Sequence, residues 1–110
     1  MVENNSFPVK WSCLAKDRLI EVYDYIESKS SANIAEKVTL GLVDVAEMAG
    51  QNPYLFSECR ELPSRTKQYR NIVSQNYRII YKIKSDFILI LDIFHSKRNP
   101  KVLKKLRRVK

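Results

Sequence analysis

Between Tyr69 and Phe94 the chain reads YRNIVSQNYRIIYKIKSDFILILDIF, three apolar runs interrupted by Ser74-Gln75-Asn76 and Lys84-Ser85-Asp86. The runs Tyr69 to Val73, Tyr77 to Ile83 and Phe87 to Phe94 are rich in Ile, Val, Tyr and Phe. Both interruptions have hairpin-loop length, so three strands in an antiparallel meander are predicted. In the middle run Tyr77, Ile79, Tyr81 and Ile83 take one face, and Arg78, Ile80 and Lys82 take the other. The last run is apolar on both faces except for Asp92, which predicts a central strand covered on both sides.

The period is different upstream. Phe7 to Trp11 is a short apolar stretch containing Pro8 and suits an edge strand or a strand start. Ser12 is placed to cap a helix over Cys13 to Glu27, where Ala15, Leu19, Val22, Tyr23 and Ile26 keep helical spacing. After the polar break at Lys29 to Ser31, with Ser30 or Ser31 as cap, Ile34, Val38, Leu42, Val45, Ala46 and Ala49 repeat the pattern. Gly41 inside this helix costs about 1 kcal/mol relative to alanine, and Gly50 reads as its terminating glycine. A connection this short makes the pair an antiparallel hairpin. Asn52-Pro53 opens a polar loop that includes Pro63. The expected fold is therefore α+β: an N-terminal strand and a helical hairpin packed on a small antiparallel sheet that ends in the meander. At 110 residues one domain is expected to span residues 1–110.

Charge divides the chain more sharply than hydropathy does. Of 20 Lys and Arg and 12 Asp and Glu, residues 1–95 hold 12 of each sign, whereas 96–110 hold eight basic residues and no acidic one. Met1 to Glu61 carries 6 basic and 10 acidic residues; Leu62 to His95 carries 6 and 2. The basic tail has its own pattern, with Asn99-Pro100 as a helix start and Val102, Leu103, Leu106 and Val109 at helical spacing. Such a short and highly charged segment is expected either to dock on the body or to order when a partner binds.

An apolar content of 45% excludes a disordered chain, and no apolar run approaches the ~20 residues of a membrane span. The N-terminus has neither a basic n-region nor an apolar h-region, so a cytoplasmic location is expected. Cys13 and Cys59 form no CxxC pair and read as structural thiols. Together with one histidine they are too few, at the wrong spacing, for a zinc site.

Three segments resemble the RelE/ParE superfamily of toxins from bacterial type II toxin-antitoxin modules. The run Val22-Tyr23-Asp24-Tyr25-Ile26, with Ala15 and Leu19, is similar to the family's opening helix. Tyr69 to Val73 followed by Asn76 to Tyr81 resembles its hairpin, and Ile93-Phe94-His95-Ser96-Lys97-Arg98-Asn99-Pro100 resembles the ending of its last strand. The resemblance implies a growth-inhibiting toxin held in check by a cognate antitoxin, with no cofactor and no metal. Members resembling ParE poison DNA gyrase by protein contact; members resembling RelE cleave mRNA on the ribosome. In the nuclease branch, arginines in the Tyr-Arg step of the hairpin and after the last strand hold the scissile phosphate, and these fall on Arg78 and Arg98. Arg70 matches a further basic position only in part. The branch's C-terminal tyrosine has no counterpart, and Lys104 stands about where it is expected.

Attack of a ribose 2′-OH on phosphate needs charge stabilisation, a base and an acid. Arginine suits the first role because its planar fork bonds two phosphate oxygens and stays charged. His95 has an intrinsic pKa suited to proton transfer, near 6.5. Arg70, Arg78, Lys97, Arg98 and Lys104 form the expected target or phosphate contacts. Val102, Leu103, Leu106 and Val109 form the expected seat of an acidic antitoxin segment that folds as it binds. Each has a plainer alternative: His95 as a structural histidine, Arg78 in an ion pair with the helices, and the tail as a solubilising end. Three functions follow in order: a gyrase-directed toxin, a ribosome-dependent mRNA endonuclease using Arg78, Arg98 and His95, and a general nucleic-acid-binding module.

Overall fold

The computed structural model describes residues 6–58 and 69–96. The chain runs β1 (Val9–Trp11), α1 (Cys13–Lys29), α2 (Ala32–Gln51), β2 (Tyr69–Ser74), β3 (Tyr77–Ile83) and β4 (Ile88–His95). Cys59 and the expected helical tail lie outside the described residues.

Both helices start on the predicted caps. The Ser12 hydroxyl accepts from the Ala15 amide, and Ser31 does the same for Ile34, so each satisfies one of the amides a helix start leaves without a partner. Gly50 does not terminate α2. The helix runs on to Gln51, and Gly50 keeps a negative φ. Its requirement is space: an added Cβ would lie 2.5 Å from Val9 Cγ2 and 2.7 Å from the Phe7 carbonyl oxygen. At Gly41 the same atom would lie 2.5 Å from Gln75 Nε2, so the mid-helix glycine makes room for the β2–β3 turn.

The sheet order is β1-β4-β3-β2. The meander is antiparallel as expected, whereas β1 joins in parallel beside β4, which makes the whole sheet mixed. A parallel neighbour needs a long crossover connection, and the helical hairpin is the start of one. β2 and β3 meet at a two-residue turn: Ser74 pairs with Tyr77, while Gln75 and Asn76 have φ of 55° and 69°, the double positive φ of a type I′ turn.

One face of the sheet packs under the helices. Its core joins Ala15, Val22, Leu42, Ala46 and Ala49 to Ile72, Ile79, Tyr81, Ile83, Ile88, Ile90 and Ile93. Each buried isoleucine contributes roughly 1.5–3 kcal/mol. Ile80 and Phe94 alternate to the opposite face and are buried there, and β4 takes the expected central position between β1 and β3.

A bulge sets the pattern along β4. Ile80 pairs with Asp92 but Tyr81 pairs with Ile90, so Leu91 has no opposite residue in β3. The inward set changes parity there, from Ile88 and Ile90 to Ile93. Ser12 clips the irregularity: its amide donates to the Ile90 carbonyl and its hydroxyl to that of Leu91, both at 3.0 Å. Asp92 follows the bulge, is 1% exposed, and receives Arg18 Nε from α1 at 3.0 Å.

Candidate functional site

Arg70 and Arg78 are brought onto one hairpin but not onto one face. The turn register sets Arg70 against Tyr81, whose side chain is core, and Arg78 against Val73 and Phe94 on the outer face. The register therefore keeps Arg70 and Arg78 from meeting on one face; the expected partner of Arg78, Arg98, lies outside the described residues. A two-residue turn at Gln75-Asn76 was the signal for it, because that turn alone fixes the register.

Arg70 is committed to structure. Its Nη1 donates to the carbonyls of Phe56 at 2.8 Å and Tyr54 at 3.4 Å, and its guanidinium lies 5.4 Å from the Tyr54 ring centroid. Beside it the Tyr81 hydroxyl donates to the Pro53 carbonyl at 2.7 Å. Burial pushes the Tyr81 phenol up to about 12, against the pull of Arg70. Asn71 adds bonds to the carbonyls of Ser57 and Glu58, both at 3.2 Å. These contacts fasten the segment after α2 to the sheet.

On the outer face Arg78 Nε donates to Asn71 Oδ1 at 3.0 Å. His95 stands on the other side, opposite Tyr77, with the two rings edge to face at 5.4 Å and 76°. It lines a cleft of about 400 Å³ where the helical hairpin, the β2–β3 turn and the end of β4 meet; Tyr25, Ile34, Val38 and Gln75 form other walls. Gln75 Nε2 donates to the Val38 carbonyl at 3.2 Å across it. Proton transfer needs heavy atoms within about 3.2 Å or one water. With the sheet between them, Arg78 and His95 cannot serve one phosphate. Lys97, Arg98, Lys104, Val102, Leu103, Leu106 and Val109 lie outside the described residues.

Charge follows the layers. The helices, residues 13–51, carry seven acidic and four basic side chains. The outer sheet face instead carries Lys10, Arg78 and Lys82. Asp92 holds its proton more tightly than an ordinary carboxyl because burial outweighs the Ile93 amide and Arg18. The Arg18 guanidinium stays firmly charged: burial opposes its charge, and Asp92 and Glu21 together more than offset that.

A helical hairpin laid on a short mixed sheet, with a β2–β4 meander and a basic chain end, is the architecture of a RelE/ParE superfamily toxin. The family described as the ParE toxin of type II toxin-antitoxin system, parDE, matches residues 9–100, and the chain belongs to that family. None of the curated proteins matches it in sequence. Among solved structures, the chromosomal ParDE toxin-antitoxin system of P. aeruginosa superposes with a TM-score of 0.70 at 19% identity, covering 84% of this chain and 99% of that one. The toxin-antitoxin complex RelBE2 of Mycobacterium tuberculosis gives 0.62 at 14% identity, covering 84% and 97%. Among the described residues no helix is long and apolar enough to cross a membrane.

Proposed function

We propose that this ParE-family chain is a growth-inhibiting cytoplasmic toxin that acts on DNA gyrase by protein contact and is neutralised by a cognate antitoxin. Beyond family membership, the observation that carries the reading is the division of Arg78 and His95 between the two faces of the sheet. Among the described residues Arg78 has no histidine on its own face to move a proton, which favours binding over cleavage. The antitoxin is read as an acidic segment that folds on binding, covers Val102, Leu103, Leu106 and Val109, and pairs with the tail's eight basic residues.

Induction in a bacterial host tests the target. The expected result is loss of negative supercoiling and accumulation of gyrase-dependent DNA breaks, with transcript 5′ ends unchanged. New cuts within translated codons, with supercoiling intact, would return the chain to the endonuclease reading. Co-expression with the product of an adjacent small acidic open reading frame is expected to restore growth.

A further inference from the structure

The outer face of the sheet changes character along the strands. Toward the β3–β4 turn its rings are capped by its own lysines: Lys10 Nζ lies 4.4 Å from the Phe87 centroid, and Lys82 Nζ 5.2 Å from that of Tyr69. Toward the end of β4 it carries Ile80 and Phe94, which alternate with core residues along their strands and do not join the core under the helices. Both are nonetheless buried, at 0% and 7% exposure, whereas Val73 on the same face is 64% exposed. A place on this face therefore does not bury a side chain by itself. Among the described residues the helices approach Ile80 only through Arg18, which bonds its strand partner Asp92. A buried apolar side chain has other side chains packed around it, so an isoleucine shut off from water on a face without a helix calls for a cover from elsewhere in the chain.

We propose that residues 97–110 dock in cis on this part of the face, with Val102, Leu103, Leu106 and Val109 laid over Ile80 and Phe94. Three stretches lie outside the described residues: 1–5, 59–68 and 97–110. The first leads into Phe7, whose amide is bonded to the Gly50 carbonyl at the end of α2, on the helix side. The second offers Leu62 and Pro63; the third offers four aliphatic side chains at the spacing of one helix face. The third also starts in the right place. It leaves β4 at Ser96, two residues after Phe94, where the Ser96 amide donates to the Asn76 carbonyl at 2.8 Å. Residues 97–99 span up to about 10 Å when extended, roughly twice the spacing of neighbouring strands, so the chain can turn back over β4 and β3. Pro100 to Val109 as a helix is about 15 Å long, the length of four or five strand residues. Helical geometry sets Lys101, Lys104 and Arg108 opposite the stripe, so these cations stay in water and face a partner. The docking is a property of the chain alone and stands whatever its target is. The same stripe is the proposed seat of the antitoxin, whose segment then takes the place of the sheet in the complex.

The test uses the full chain, alone, with its Ile, Leu and Val methyl groups labelled for NMR. Nuclear Overhauser contacts are expected from the Ile80 δ1 methyl and the Phe94 ring to the methyls of Leu103 and Leu106. Contacts from Ile80 to Leu62 instead, or to no residue beyond the described strands and helices, would overturn the proposal. So would contacts to the tail that appear only between labelled and unlabelled chains, because these would place the tail on a second copy. Two variants test the energetics without touching the sheet. Leu103→Asp with Leu106→Asp is expected to speed tryptic cleavage within 97–110 by about tenfold or more and to lower the Tm by roughly 5 °C or more. Lys104→Gln with Arg108→Gln, on the opposite side of the stripe, is expected to leave the Tm unchanged. A tail cut as fast in the parent as in the aspartate variant, or equal Tm losses in the two variants, would overturn the docking.

Discussion

Arg70 and Arg78 lie on paired strands of one hairpin, and the sheet sends them to opposite faces. On the helix side Arg70 is held by the Phe56 and Tyr54 carbonyls and fixes the segment that follows α2. On the outer side Arg78 bonds to Asn71 and stands between Val73 and Phe94 across the strands. The same residue type thus serves packing in one place and surface chemistry in the other. Residue type does not predict role in this hairpin; strand parity does. The inner face holds an apolar core, the cleft with His95, and the Arg70 and Tyr81 bonds to the carbonyls of Pro53, Tyr54 and Phe56. The outer face holds cations beside rings.

The largest expected effect breaks this comparison at its centre. Ile79 faces the core at 0% exposure, whereas Val73 on the outer face is 64% exposed. Replacing Ile79 by alanine is expected to destabilise the chain by about 3–4 kcal/mol, and replacing Val73 by alanine by about 0.5 kcal/mol or less. Urea unfolding measures both. Comparable losses would mean that the two faces are equally packed.

A smaller effect sharpens the contrast of the arginines. Arg70→Ala removes a charge-assisted bond to the Phe56 carbonyl and is expected to destabilise by about 2 kcal/mol, and by more than Arg78→Ala does. Limited proteolysis supplies the local readout. Cleavage near Tyr54 and Leu55, which are 63% and 67% exposed, should accelerate in the Arg70 variant alone. Faster cleavage in the Arg78 variant instead would show that the outer face holds this segment.

The elements were legible because their hydrophobic periods are clear. Ser12 announced the first cap, Ser31 was one of two candidates for the second, and the strand runs of the meander fall within a residue or so of their observed bounds. The assignment of faces was less legible. In β4 nearly every residue is apolar, so a one-residue bulge at Leu91 leaves no mark on the pattern, yet it changes which side chains point inward. The parallel pairing of β1 is non-local and joins Lys10 to Lys82 only through Leu89, so no sequence window contains that row. Gly50 misled for a related reason. Its lack of a side chain answers the approach of Phe7 and Val9 from far along the chain, where a local reading sees a helix stop.

The smallest expected effect concerns the boundary between the faces, where Asp92 follows the bulge. Two forces act on its carboxyl: burial, with Oδ2 lacking a hydrogen-bond partner among the described residues, and the stabilising Ile93 amide and Arg18 guanidinium. Burial prevails, so the folded-state pKa lies above the ordinary value. Between the unfolded value near 3.9 and the raised folded value, the native chain then binds more protons than the unfolded chain. Stability from this group is therefore fully present below about pH 4 and declines as pH rises through the folded value. Asp92→Asn removes the titration while keeping the shape of the side chain. The stability difference, parent minus variant, is expected to move in the parent's favour as pH falls from neutral toward 4. Thermal unfolding of both chains at matched pH measures it and cancels the titration of every other group. A difference that moves the other way would mean that Arg18 overcomes burial. The boundary would then be held by a working ion pair, as on an open surface, and the bulge would sit in a more polar setting than the core around it.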